Sequence, residues 1–249
     1  MNGYTGNLSK LLYDKKHLKT SKDPITHTRI GNKSEDIYGG SYCILENDIN
    51  ILHQLITDEV ILKNKYEYLT EKQQENGPIA IDLDFRYEKN ITTRKHDTSD
   101  MTDIFGMFSQ VIKKIFNFKN GDSFDIYGFE KPQVNICENE TKDGIHIIIG
   151  IQSSTNVQKY LRTEALKILT SVECPVDLPI TNTWDNIYDE GISNRTTNWQ
   201  LFGCRKPNNE AYALTSHFQL VYDDNDDDFS FLENDVLKFN YKKDYSKLS

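Results

Sequence analysis

The chain has 249 residues, 37% of them hydrophobic and 11% aromatic, which excludes a wholly disordered chain and suffices for one large core or two smaller ones. No apolar run approaches the roughly 18 residues of a membrane span, and residues 1–12 lack a secretory-signal pattern, so the expectation is a soluble, intracellular protein with no membrane partner. The formal net charge of −9 weighs against a nucleic-acid partner only until its distribution is read: five of the acidic residues fall within 223–228, while Lys10, Lys15, Lys16, Lys19 and Lys22, then Lys113 and Lys114, then Arg205 and Lys206 leave room for a basic groove.

The first 40 residues are polar, with turn signals at Asp23-Pro24 and Gly39-Gly40. Residues 49–61 place Ile49, Leu52, Leu55, Ile56 and Val60 on one side of a helix. A strand is expected at 66–69, and Gly77-Pro78 introduces a buried one at 79–85. A helix over 100–116 gathers Ile104, Met107, Phe108, Val111, Ile112 and Ile115 on one face. Short strands are expected at 123–128 and 133–137, and the β-branched run 145–151 reads as a central strand. Helix signals return over 155–172, strands over 199–202 and 213–222, and a last short helix over about 232–239. Strands and helices mix without strict alternation, which favours an α+β fold. The four cysteines, Cys43, Cys137, Cys174 and Cys204, stand far apart with no C-x-x-C pair, so they read as reduced thiols and not as a zinc site.

Three segments carry chemistry. In Ile81-Asp82-Leu83-Asp84, two acids two apart on a strand project from one face. Two hard oxygen ligands side by side suit a Mg²⁺ or Mn²⁺ ion whose shell is completed by phosphate and water. A D-x-D triplet also occurs by chance, as at Asp224 and Asp226, but Asp82 and Asp84 end an apolar strand, where two unscreened carboxylates repel. In Lys142-Asp143-Gly144-Ile145-His146, an imidazole sits in an apolar strand and must be hydrogen-bonded or functional, and Gly144 shares its face and allows close approach of a ligand. In the third, Asp189 is followed by NWQLFGCRKP at 198–207, a strand ending at Gly203 that presents Arg205 and Lys206 as phosphate-binding cations. Each segment alone has a bland reading: solvated acids, a satisfied core histidine, a basic turn.

Their order decides between the readings. A D-x-D strand, a Lys-x-Gly-x-His strand about 60 residues later, then Asp and the 198–207 block resembles the archaeo-eukaryotic primase superfamily, most closely the primase half of primase–helicases of nucleocytoplasmic large DNA viruses. Gly144 departs from the serine common before the histidine. The resemblance covers residues 66–222 and implies an α+β fold with an RRM-like catalytic sheet packed against a smaller α/β module. It divides the chain into an N-terminal segment 1–65, a catalytic core 66–222 and a segment 223–249 leading out of the domain.

It further implies template-dependent nucleotidyl transfer with two divalent metals, Mg²⁺ or Mn²⁺, held by Asp82, Asp84 and Asp189 as catalytic residues. The nucleotide would be contacted by His146, Lys142, Gly144, Arg205 and Lys206, and Trp199 is a candidate for base stacking. Implied partners are a single-stranded DNA template, nucleoside triphosphates, and a helicase in cis or in trans at a site of DNA replication. No Gly-x-x-x-x-Gly-Lys-Ser/Thr loop is present, so the helicase would lie elsewhere. The rival readings are a catalytically silent primase-like module that docks single-stranded DNA, and a D-x-D sugar or nucleotidyl transferase. The latter leaves His146 and the 198–207 block unexplained.

Overall fold

The strand expected at 79–85 extends beyond its apolar run in both directions. In the computed structural model, which describes residues 7–14, 17–20 and 22–249, strand β4 spans Asn76–Glu88 and pairs along its whole length with β7, Glu140–Ser154. Lys15 and Lys16 of the N-terminal basic cluster lie outside the described residues. Elements are numbered along the chain, and the mixed helices and antiparallel sheets make the fold α+β, as expected.

The chain divides into two units that interleave in sequence: Met1–Gln73, Thr197–Ala213 and Leu237–Ser249 form one, Gln74–Thr196 and Leu214–Val236 the other. This division differs from the successive segments 1–65, 66–222 and 223–249 read from the sequence. The reason is strand pairing between distant segments, which leaves no local signature.

The larger unit is built on a sheet of order β10-β9-β5-β7-β4, with β5 at Ser123–Glu130, β9 at Ala213–Asp223 and β10 at Asp228–Glu233; the short β6, Asn135–Ile136, pairs with β7. Alternation along β4 sends Ile79, Ile81, Leu83, Phe85 and Tyr87 to one face, into the core. Two helices fill that core from the same side. Helix α3, Thr98–Ile115, contributes Ile104, Phe105, Phe108, Val111 and Ile112, and starts at a capping box between Asp97 and Asp100. Helix α4, Thr155–Leu169, contributes Leu161, Ala165 and Leu169, with Ser154 accepting from the Val157 amide.

The acidic run expected to mark the edge of the domain is instead a hairpin turn. Asp227 takes a positive φ of 49°, and β10 runs back along β9 to bury Phe229 in the core. The helix expected at 232–239 is displaced for the same reason: β10 occupies its first residues, and a single 3-10 turn, Val236–Lys238, follows.

The smaller unit has a four-stranded antiparallel sheet of order β2-β1-β3-β8, with β1 at His27–Arg29, β2 at Gly40–Tyr42, β3 at Leu69–Glu71 and β8 at Trp199–Gln200. Its helices include α1, Asn7–Leu12, and α2, Glu46–Leu55, the latter continuing as a π turn through Ile61. Arg29 and Glu67 form a buried bidentate pair, Nε–Oε1 2.7 Å and Nη2–Oε2 2.5 Å. Leu237–Ser249 belongs to this unit: after α7, Tyr241–Asp244, Tyr245 and Leu248 are 3% and 0% exposed.

The Tyr245 hydroxyl donates to the Phe202 carbonyl at 2.9 Å, tying this segment to the 198–207 block. Tyr245→Phe keeps the packing but strands that buried carbonyl, so the unfolding free energy should fall by about 1–2 kcal/mol in urea titrations.

Acid should destabilise this unit too. Burial pushes His53 down to about 4, and burial with the nearby His53 charge does the same to His27. An unfolded imidazole titrates near 6.5, so the folded state binds fewer protons between about 6.5 and 4; this stability is complete above that window and is lost as pH falls through it. Glu71 opposes it, since burial pushes its carboxyl up to about 7 and its contribution is lost as pH rises from about 4.5. Two imidazoles outweigh one carboxyl. The urea midpoint should therefore drop between about pH 7 and 4.5, and His53→Gln should flatten that limb.

Candidate active site

The sheet of the larger unit has helices on one face, and the other face carries the polar residues of β4 and β7. Antiparallel register sets Asp82 opposite His146, Asp84 opposite Gly144 and Arg86 opposite Lys142. Residues in register share a face, so these six form a double row beside one another. Asp82 Oδ2 stands 3.6 Å from His146 Nε2, with both side chains mostly buried. One register step past the acids, Lys142 Nζ and Arg86 both reach Glu140, at 3.1 and 3.6 Å.

β4 is the outermost strand of its sheet, and an uncovered edge leaves alternate peptide groups without partners. The chain between α4 and Arg195 supplies them. Gln158, fully buried, accepts from the Ala80 amide at 3.3 Å and donates to the Ala80 carbonyl at 3.1 Å. The Asp189 amide donates to the Asp82 carbonyl at 2.9 Å, next to an antiparallel bridge between Leu83 and Tyr188. Asn182 donates to the Asp84 carbonyl at 2.9 Å and accepts from the Arg86 amide at 3.1 Å. At the start of the strand, Arg195, at φ 56°, donates to the carbonyls of Gln74, Gly77 and Ser153.

The Leu83–Tyr188 bridge fixes which way Asp189 points. Tyr188 enters the core with Leu83, so Asp189 falls opposite Asp82 on the acidic face. Two four-residue helices flank it, α5 at Trp184–Ile187 and α6 at Glu190–Ser193, and Asp189 caps α6 by accepting from the Ile192 amide at 2.7 Å. Backbone pairing thus brings the Asp189 position beside Asp82 from a segment about 100 residues further along the chain. Among the described residues, no three carboxylate, imidazole or thiol groups stand close enough to form a ready-made metal cage. Two hard acids on one strand face, with a third beside them, suit an open site in which substrate phosphates and water complete the shell.

Under the sheet, on the core side of β7, Asp143 is clasped by Arg94 at 2.9 and 3.0 Å. Arg94 also reaches Glu130 at 3.0 Å, and His96 Nε2 meets Glu130 at 2.7 Å. Burial works against ionisation of Glu130, but hydrogen bonds from His96 and Thr215 and the Arg94 charge hold its carboxyl below its usual range. This network pins the stretch bearing Lys142 and Gly144.

The sequence-derived candidates Asp82, Asp84, Asp189, Lys142, Gly144 and His146 all belong to the larger unit. Arg205 and Lys206 belong to the smaller one, where the Arg205 guanidinium lies over the Tyr66 ring at 4.2 Å and Gly203 turns the chain at φ 82°. Trp199 is 4% exposed, which makes it a packing residue and removes it as a base-stacking candidate. Gln158, Asn182, Arg195, Arg86 and Glu140 were not anticipated. The first three act through backbone atoms, which no residue pattern announces, and the last two emerge only from strand register.

The family model described as the C962R protein N-terminal AEP domain matches residues 31–218, taking in the whole constellation. The chain belongs to the archaeo-eukaryotic primase family. The AEP domain is also 30% identical over 206 residues to the putative helicase L207/L206 of Acanthamoeba polyphaga mimivirus. That match covers 82% of this chain and 21% of the relative, so the AEP domain spans about a fifth of the length of that viral protein. Family membership assigns the domain a primase-type role at the family level. No helix of the described residues is long and apolar enough to cross a membrane.

Proposed function

We propose that the domain is a DNA primase: it joins nucleotides on a single-stranded DNA template to make primers for replication. The observation that carries this reading is the hydrogen bond from the Asp189 amide to the Asp82 carbonyl, 2.9 Å, which draws a third carboxylate to the D-x-D pair on one sheet face. Asp82 and Asp84 would hold the divalent metal together with Asp189, whose Oδ1 also caps α6. Bound Mg²⁺ or Mn²⁺ would supply Lewis acidity, lowering the pKa of the attacking 3′-hydroxyl and neutralising charge on the triphosphate and departing pyrophosphate.

His146, across from Asp82, donates to nucleotide phosphate oxygens; it is a phosphate contact and not a general base. Gly144 leaves the space between His146 and Lys142 free of side chain, so the triphosphate can approach the backbone. Lys142 binds phosphate of the nucleotide, and Arg205 and Lys206 bind phosphate of the nucleotide or template. The name of the viral relative supports a helicase as partner, in cis or in trans, at an intracellular site of viral replication.

The test is synthesis itself. Purified domain with single-stranded DNA, labelled nucleoside triphosphates and Mn²⁺ or Mg²⁺ should yield short oligomers. Template binding with no incorporation under either metal would make it instead a silent module that presents DNA to a helicase.

A further inference from the structure

Arg86 and Glu140 have no role in the reaction as described above, yet they stand in its row. The register that pairs Asp82 with His146 and Asp84 with Gly144 next pairs Arg86 with Lys142 and then Glu88 with Glu140. Strand geometry puts Arg86 roughly 7 Å along the sheet from Asp84, on the same face. Between the acids and the cations lies Gly144, with no side chain. The Arg86 backbone is fixed on both sides: its amide donates to Asn182 at 3.1 Å and its carbonyl accepts from the Thr181 amide at 2.8 Å. Its side chain and that of Lys142 are 40% and 39% exposed and converge on one carboxylate, Glu140, at 3.6 and 3.1 Å.

We propose that Arg86 and Lys142 form a polyphosphate subsite, and that Glu140 is the counter-ion both release when a nucleotide's phosphate tail arrives. Among the described residues, Glu140 alone takes both cations, while Glu88, opposite it in register, is exposed and pairs with neither. Exposed ion pairs of this kind are weak and exchange readily, whereas a phosphate offers the guanidinium fork several acceptors at once. The neighbouring acids select the ligand. A bare nucleic-acid backbone would meet Asp82 and Asp84 as repulsion, while a compact polyanion carrying its own divalent cation satisfies acids and bases together. The inference deepens the nucleotidyl-transfer reading and rests on it for the identity of the polyphosphate as a nucleotide tail.

Calorimetric titration of the domain with Mg²⁺–pyrophosphate and Mg²⁺–tripolyphosphate tests the subsite without requiring synthesis. Arg86→Gln should weaken binding about tenfold. Glu140→Gln should tighten it roughly two- to threefold, because the cations lose their competitor; a merely structural role for Glu140 would move affinity the other way. Wild-type protein that binds neither polyphosphate, Arg86→Gln with unchanged affinity, or Glu140→Gln that weakens binding would each overturn the subsite. A full polyphosphate pattern in a domain that makes no primers would instead leave the subsite standing and remove the nucleotidyl-transfer reading.

Discussion

Replacing Asp82 and Asp84 together by alanine should lower primer synthesis at least about 1,000-fold while the protein remains folded. Both side chains sit on the face of β4 opposite the hydrophobic core, and their removal takes away two like charges without opening a cavity among Ile81, Leu83 and Phe85. Thermal unfolding should therefore hold steady or rise slightly as activity disappears. His146→Ala should behave differently, raising the KM for nucleotide more than it lowers kcat, since it is a phosphate contact and not a metal ligand in this account. Synthesis surviving in the double variant would place the chemistry elsewhere.

The second large effect is expected at Gln158, outside every sequence pattern. Its amide group is fully buried and makes four contacts: Arg195 Nη2, which donates to it at 3.5 Å, the Ala80 amide, the Ala80 carbonyl, and the Ile192 carbonyl at 3.0 Å. The last of these joins β4 to α6, the helix that Asp189 caps. Gln158→Leu fills similar volume but leaves those peptide groups facing hydrocarbon, at a cost of about 3 kcal/mol or more in unfolding free energy. It should also slacken the Asp189 segment, so synthesis at saturating nucleotide should drop by about tenfold or more even where the variant is folded. A change confined to stability, with full kcat, would show that the edge cover does not position the acidic cluster.

These two sites mark the limits of what is legible in the sequence. The pairing of Asp82 with Asp84 follows from the two-residue period of a strand, and the strand itself is announced by Ile79, Ile81, Leu83 and Phe85. The helices α3 and α4 are legible by their apolar faces. The alignment of His146 with Asp82 needs the β4–β7 register, and the arrival of Asp189 needs an edge contact between segments about 100 residues apart. The order of motifs supplied both through family resemblance; local propensity supplied neither. The interleaving of the two units was invisible for a related reason: β8 is two residues long and finds its place only by pairing with β3. The acidic run misled because five aspartates resemble a solvated tail, while Phe229 just beyond them pulls β10 back onto the sheet.

Crystals of the domain holding Mn²⁺ and a non-hydrolysable nucleoside triphosphate, measured at the manganese edge, address the acidic cluster directly. The account predicts an anomalous peak about 2.1 Å from carboxylate oxygens of both Asp82 and Asp84, with the triphosphate completing its shell, and a much weaker peak without nucleotide. Nucleotide bound in order with no manganese at those two side chains would contradict it.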